Sequence, residues 1–414
     1  MSKPFGKIDG HGASPLSDML EATRLTGLGR LEEATALIQR SLTGRSGAAP
    51  AQPPGQAALE PPTLDLKAER RGEASEAPGP APQARMRGVV DSVVRGLAPV
   101  LKGLGQPLRP APAGRGPARP PGSSSFVARS HADAAGARDY KLFIPSDPQV
   151  PAPLVVMLHG CTQNPDDFAA GTGMNALAER AGIYVAYPGQ SRSAHPQKCW
   201  NWYEPGDQGR EAGEPAIIAG ITRAVMAAHA IDPARVYIAG MSAGGAAALN
   251  IAHAYPDLYA AIGVHSGLAA GCARDLGSAL MAMQVGAPGL GTAPSFGAPT
   301  VGRRVPLIVF HGEEDGTVSP RNAEQILAQA GASGLTAATE TFEGKDAALR
   351  GHAFTRTRYA DRTGQVVLED WRVRGQGHAW SGGLSEGSYT DPDGPDASRA
   401  MLDFFAEHRL PKAA

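Results

Sequence analysis

Ser242 stands in the pentapeptide Gly240-Met241-Ser242-Ala243-Gly244, inside the longer run RVYIAGMSAGGAAALN from Arg235 to Asn250. A serine hydroxyl is a weak nucleophile at neutral pH. It needs a histidine to take its proton and a carboxylate to fix that histidine in one tautomer. The β-branched and aromatic run Val236 to Ile238 reads as a short buried strand, and the small residues after Gly244 read as a helix. A serine on the sharp turn between them would hold its hydroxyl above the carboxyl end of a sheet, with the flanking glycines keeping side chains out of the crowded turn. In a chain with 52 glycines the pentapeptide alone is a weak signal, and its strand and helix context is what strengthens it.

On a strand-turn-helix scaffold of this kind the partners follow in the order serine, acid, histidine. The segment VPLIVFHGEEDGTVSP supplies Glu313, Glu314 and Asp315 just past a strand that ends near His311. Asp315 is the expected acid, because it stands before Gly316 where a carboxylate can turn back over the sheet. Its alternative reading is a turn-capping or helix-capping acid. The expected base is His378, placed by WRVRGQGHAWSGG in a glycine-rich loop after a strand, with His352, His265 and His311 as weaker rivals.

Acyl transfer also needs donors aimed at the oxyanion. The N–H of Ala243, next to the serine, is one expected donor. The other is the N–H of Cys161 in VVMLHGCTQ, where Gly160 lets the backbone come close. Cys199 lies in a second loop, KCWNWYEP, and either pairs with Cys161 or stays a free thiol like it. Trp200, Trp202, Tyr203 and Trp380 are expected to wall the substrate site, with a core role as the competing reading. No metal-ligand spacing and no phosphate-binding glycine motif is found, so no cofactor is expected.

The elements that must hold these residues alternate between strand and helix. Strands are expected at Tyr140–Ile144, Leu154–Leu158, Ile183–Ala186, Val236–Ala239, Ala261–Val264, Pro306–Phe310 and Val366–Val373. Helices are expected at Pro215–Ala230, Arg321–Ala330 and Ala397–His408, giving βαβ units and a mainly parallel sheet from residue 126 to 414. A helical hairpin is expected over residues 1–45, and its GRLEEA piece looks like half of a tetratricopeptide-type hairpin. Residues 46–125 read as a low-complexity linker, too poor in apolar residues to order itself. Within it, residues 84–105 have apolar residues every three or four positions and arginines largely off that stripe, as in a basic amphipathic helix that either packs on its own domain or touches an amphiphilic surface such as a granule.

The net charge of −1 gives no global field for nucleic acid. Three cysteines are too few for a disulfide scaffold, and no apolar run is long enough to span a membrane. A cytoplasmic location is the expectation.

Together, LHGCTQ, CWNWY, GMSAGG, HGEEDGTV and GHAWSGG resemble the polyhydroxybutyrate depolymerase family of α/β-hydrolase esterases, related to feruloyl and acetylxylan esterases. The resemblance covers about Arg138 to Arg409. It implies an α/β-hydrolase fold, Ser242 as nucleophile, Asp315 as acid, His378 as base, and the N–H groups of Cys161 and Ala243 as the oxyanion hole. It further implies a polyester, an oligomer or another small ester as substrate, and a granule-associated binding protein is the rival of a different class.

Overall fold

A computed structural model describes residues 123–287, 304–344 and 351–411. The hairpin at 1–45, most of the linker and the basic helix at 84–105 lie outside the described residues.

Ten strands form one sheet. They are β1 (Ser125–Asp133), β2 (Gly136–Ile144), β3 (Ala152–Leu158), β4 (Tyr184–Pro188), β5 (Ile231–Met241), β6 (Ala261–His265), β7 (Leu307–Gly312), β8 (Thr336–Phe342), β9 (Phe354–Ala360) and β10 (Val366–Val373), in the spatial order β1-β2-β4-β3-β5-β6-β7-β10-β9-β8. The middle of the sheet, from β4 to β10, is parallel. At each edge the pairing turns antiparallel, through β1 and β2 on one side and β8 and β9 on the other.

The central strands are apolar where helices cover both faces, as in β3, β4 and residues 236–241 of β5. Side-chain alternation divides them between two cores. Leu154, Val156, Leu158, Ile238 and Val264 face one core, with helix α3 (Gly213–Ala228) and helix α4 (Ala243–Ala254). Val155, Met157, Tyr237, Ala239 and Phe310 face the other, with Phe168 of helix α1 (Pro165–Thr172), Met174 of helix α2 (Met174–Ala181) and Phe405 of helix α7 (Ala397–Ala406). Helices α5 (Leu276–Val285) and α6 (Arg321–Gln329) complete the set.

The expected central strands and the three expected helices form within a few residues of their anticipated ends, apart from β5, which begins at Ile231. Unanticipated are β1, β8, β9, α1, α2 and α5. Strands β1 and β8 are largely exposed, so no run of apolar residues marks them. Helices α1 and α2 are eight residues each, too short for a helical period to stand out, and are delimited instead by the Asn164 cap and by Gly173 and Gly182 at positive φ.

Candidate active site

Because β3, β5, β6, β7 and β10 run parallel, their carboxyl ends share one edge of the sheet. Ser242 follows β5, Asp315 lies three residues beyond β7, and His378 lies five residues beyond β10. Backbone bonds knit the last two loops together. Glu313 N–H donates to Val373 O at 2.9 Å and Glu314 N–H to Gln376 O at 3.0 Å.

Ser242 adopts φ 57° and ψ −122°, a conformation that side chains rarely take and that marks a strained turn. Its N–H donates to His265 O at 2.9 Å, tying the turn to the end of β6. The flanking glycines are there for space. A Cβ on Gly240 would stand 2.3 Å from Gly244 O, and one on Gly244 would stand 2.1 Å from Leu158 O.

His378 Nδ1–H donates to Asp315 Oδ2 at 2.7 Å. Asp315 Oδ1 accepts from the N–H groups of Thr317 and Val318 at 2.9 and 2.8 Å. Burial by itself would raise the Asp315 carboxyl, but hydrogen bonds from His311 and His378, the charge of His378 and the Val318 N–H together hold it well below the usual carboxylate range. It is an anion throughout the neutral range.

The rival histidines are engaged elsewhere. His265 is fully buried, its Nε2 accepts the Ser381 N–H at 2.9 Å, and burial first of all pushes it well below its ordinary value, so it stays neutral. His311 Nε2–H donates to Val318 O at 2.8 Å and lies 3.5 Å from Asp315 Oδ2, making it a second support of the acid. His352 pairs with Asp391 at 2.9 Å.

The loop after β3 lies against the serine, since a Cβ on Gly160 would sit 3.6 Å from Ser242 Cβ. Three consecutive N–H groups in it have different fates. Gly160 N–H donates to Gln163 Oε1 at 2.9 Å and Thr162 N–H to Gln197 O at 2.7 Å. Among the described residues, no acceptor takes the N–H of Cys161 between them. Ala243 opens helix α4, where the first N–H groups have no intrahelical acceptor.

Cys161 is joined to Cys199, which decides between the pairing and free-thiol readings and ties this loop to the CWNWY segment. Cys272 is the remaining free thiol.

The expected aromatic wall needs correction. Trp200 and Trp380 are 0% and 1% exposed, and both indole N–H groups are satisfied internally, by His159 O at 2.9 Å and Ser398 Oγ at 3.1 Å. Trp202 is also buried, and only Tyr203 keeps a partly open face. Bulky rings fill the space beneath loops that offer few other apolar side chains, which is the core role.

Sequence reasoning missed Gln163, Asp167, Ser388 and Tyr389 around the Cys161 loop. The bonds that bring Ser388 and Tyr389 to this loop cross more than 200 residues, and nothing local in the sequence announces such contacts.

Residues 138–346, half of the chain, match the family model described as Esterase PHB depolymerase. The chain belongs to this family. Poly(3-hydroxyalkanoate) depolymerase C of Paucimonas lemoignei is 32% identical over 243 residues, 57% of this chain and 56% of that protein. Feruloyl esterase B of Thermothelomyces thermophilus is 32% identical over 199 residues, 45% of this chain and 67% of that protein. The chain therefore spans little more than half the length of the depolymerase it matches. The solved acetyl xylan esterase from Aspergillus awamori covers 69% of this chain and is covered completely by it, with TM-score 0.54 and 20% identity, a likeness of fold. That fold is the α/β-hydrolase fold. That family is one of esterases, and no helix among the described residues of this chain is long and apolar enough to cross a membrane.

Proposed function

We propose that this chain is a serine esterase that hydrolyses carboxylic esters of short-chain hydroxyalkanoates, polyhydroxybutyrate or its oligomers, through an acyl-enzyme on Ser242. The observation that carries the reading is the His378–Asp315 bond at 2.7 Å on the same sheet edge as the strained Ser242 turn. His378 takes the proton as the Ser242 oxygen attacks the ester carbonyl. The tetrahedral oxyanion is held by the N–H groups of Cys161 and Ala243. Collapse expels the alcohol, which receives its proton from His378, and a water activated by the same ring then releases the acid. Asp315, an anion throughout, steadies the imidazolium without taking its proton.

A second substrate class is favoured by the likeness to feruloyl esterase B, in which the acyl group is aromatic. Mass spectrometry of products from amorphous polyhydroxybutyrate granules, soluble 3-hydroxybutyrate oligomers, acetylated xylan and methyl ferulate separates the two. Release of hydroxybutyrate from granules or oligomers with the higher kcat/KM supports the hydroxyalkanoate reading, and a preference for ferulate or acetylxylan overturns it. A Ser242→Ala variant with wild-type turnover on every ester would overturn the mechanism.

A further inference from the structure

We propose that Gln163 is the positioning residue that aims the Cys161 N–H, acting through a strap that joins the segment after His378 to the loop after β3. This inference rests on the serine-esterase reading of the site.

Gly160 N–H donates to Gln163 Oε1 at 2.9 Å, while Gln163 N–H donates back to Gly160 O at 3.3 Å. The two bonds close a short loop with Cys161 and Thr162 at its tip. A backbone N–H can only donate, so the amide oxygen must face Gly160 and the amide nitrogen must face away. There Nε2 meets acceptors only, namely Asp167 Oδ2 at 2.9 Å, Ser388 O at 3.0 Å and Ser388 Oγ at 3.3 Å. Asp167 completes the ring of bonds. Its Oδ1 accepts the Ser388 N–H at 2.9 Å and its Oδ2 accepts the Ser388 hydroxyl at 2.6 Å.

Gln163 is 3% exposed, so water does not replace these partners when one is lost. Ser388 lies ten residues after His378 in the chain. One carboxamide thereby holds the loop with the unclaimed N–H and the segment that follows the base. A donor fixed before the reaction costs nothing to reorient when the oxyanion forms, so loosening it should weaken the transition state more than substrate binding.

The test is steady-state kinetics of Gln163→Met and Gln163→Glu on a soluble 4-nitrophenyl ester, beside wild type and Ser242→Ala. Gln163→Met keeps the bulk and removes the bonds, and it is expected to lower kcat about 30-fold or more with KM changed less than about twofold. In Gln163→Glu a protonated carboxyl imitates the amide, accepting from Gly160 and donating to Asp167, whereas the ionised form repels Asp167. Its kcat relative to wild type is therefore expected to rise as the pH falls from about 8 to about 5.5.

A Gln163→Met kcat within about threefold of wild type, or a loss expressed in KM instead, overturns the proposal. So does a Gln163→Glu ratio that does not change with pH, and this variant alone decides the matter if Gln163→Met does not fold. Full activity in Ser242→Ala would instead sink the underlying esterase mechanism. Inactive Ser242→Ala with fully active Gln163 variants would sink the positioning role alone.

Discussion

The ring of His378 donates from Nδ1 to Asp315 Oδ2 at 2.7 Å across 63 positions of sequence, and the same carboxylate oxygen lies 3.5 Å from His311 Nε2. The carboxylate is held by the His378 ring and two backbone N–H groups, with the His311 ring beside it, an arrangement that keeps it charged and still. Asp315→Asn keeps the shape but offers an N–H or a neutral oxygen to the ring, favouring the wrong tautomer. By comparison with the loss measured for the same change in serine proteases, kcat on a soluble ester is expected to fall on the order of 10⁴-fold. A drop of less than about tenfold would remove Asp315 from the mechanism.

Glu214 carries a separate pH dependence. Its carboxylate, buried at 4% exposure, is pushed up to about 7, by burial first and the nearby Asp207 second, against hydrogen bonds from Asn201 N–H at 2.8 Å and Gln190. The folded form binds its proton more tightly than the unfolded chain does. The stability it contributes is therefore complete below the ordinary glutamate value and is lost as the pH rises through about 7. The loss amounts to up to about 3 kcal/mol by the usual conversion of such a shift. Urea unfolding of wild type and Glu214→Gln between about pH 4 and about pH 8 checks this, because the gap between the two curves should change with that sign. A gap constant with pH would refute it.

The Cys161–Cys199 bridge closes a loop of sequence separation 38. The chain has three cysteines, so thiol titration of the denatured, unreduced protein should find one, Cys272. A Cys161→Ser, Cys199→Ser double variant is expected to lose about 2–4 kcal/mol of stability. Three reactive thiols in the denatured, unreduced protein would refute the bridge.

Gly244→Ala tests the turn itself. The added methyl would lie 2.1 Å from Leu158 O and 2.5 Å from His159 O, both backbone atoms that cannot swing aside. Ser242 would be displaced with its support, so a destabilisation of about 1–3 kcal/mol or more and loss of esterase turnover are expected together. Wild-type turnover in Gly244→Ala would show that the turn tolerates what its geometry forbids.

The sequence alone determined the middle of the sheet, because β3, β4 and the second half of β5 are buried on both faces and read as continuous apolar runs. It also determined the placing of Ser242, since the strand, glycine turn and small-residue helix around it are local and leave a local signature. The chain order of Asp315 and His378 followed from the same scaffold. Tertiary structure decided what local patterns cannot encode. It engaged His265 and His352 through bonds to Ser381 and Asp391, distant in the chain, and turned His311 onto Val318 O within its own loop, none of which a property of an isolated histidine reveals. It sank Trp200 and Trp380 into the core, because an indole is equally suited to a wall and to an interior, and only the neighbours that surround it settle which. It paired Cys161 with Cys199 and bound Gln163 to Ser388, both contacts across long stretches of chain whose ends are brought together by the folding of the sheet.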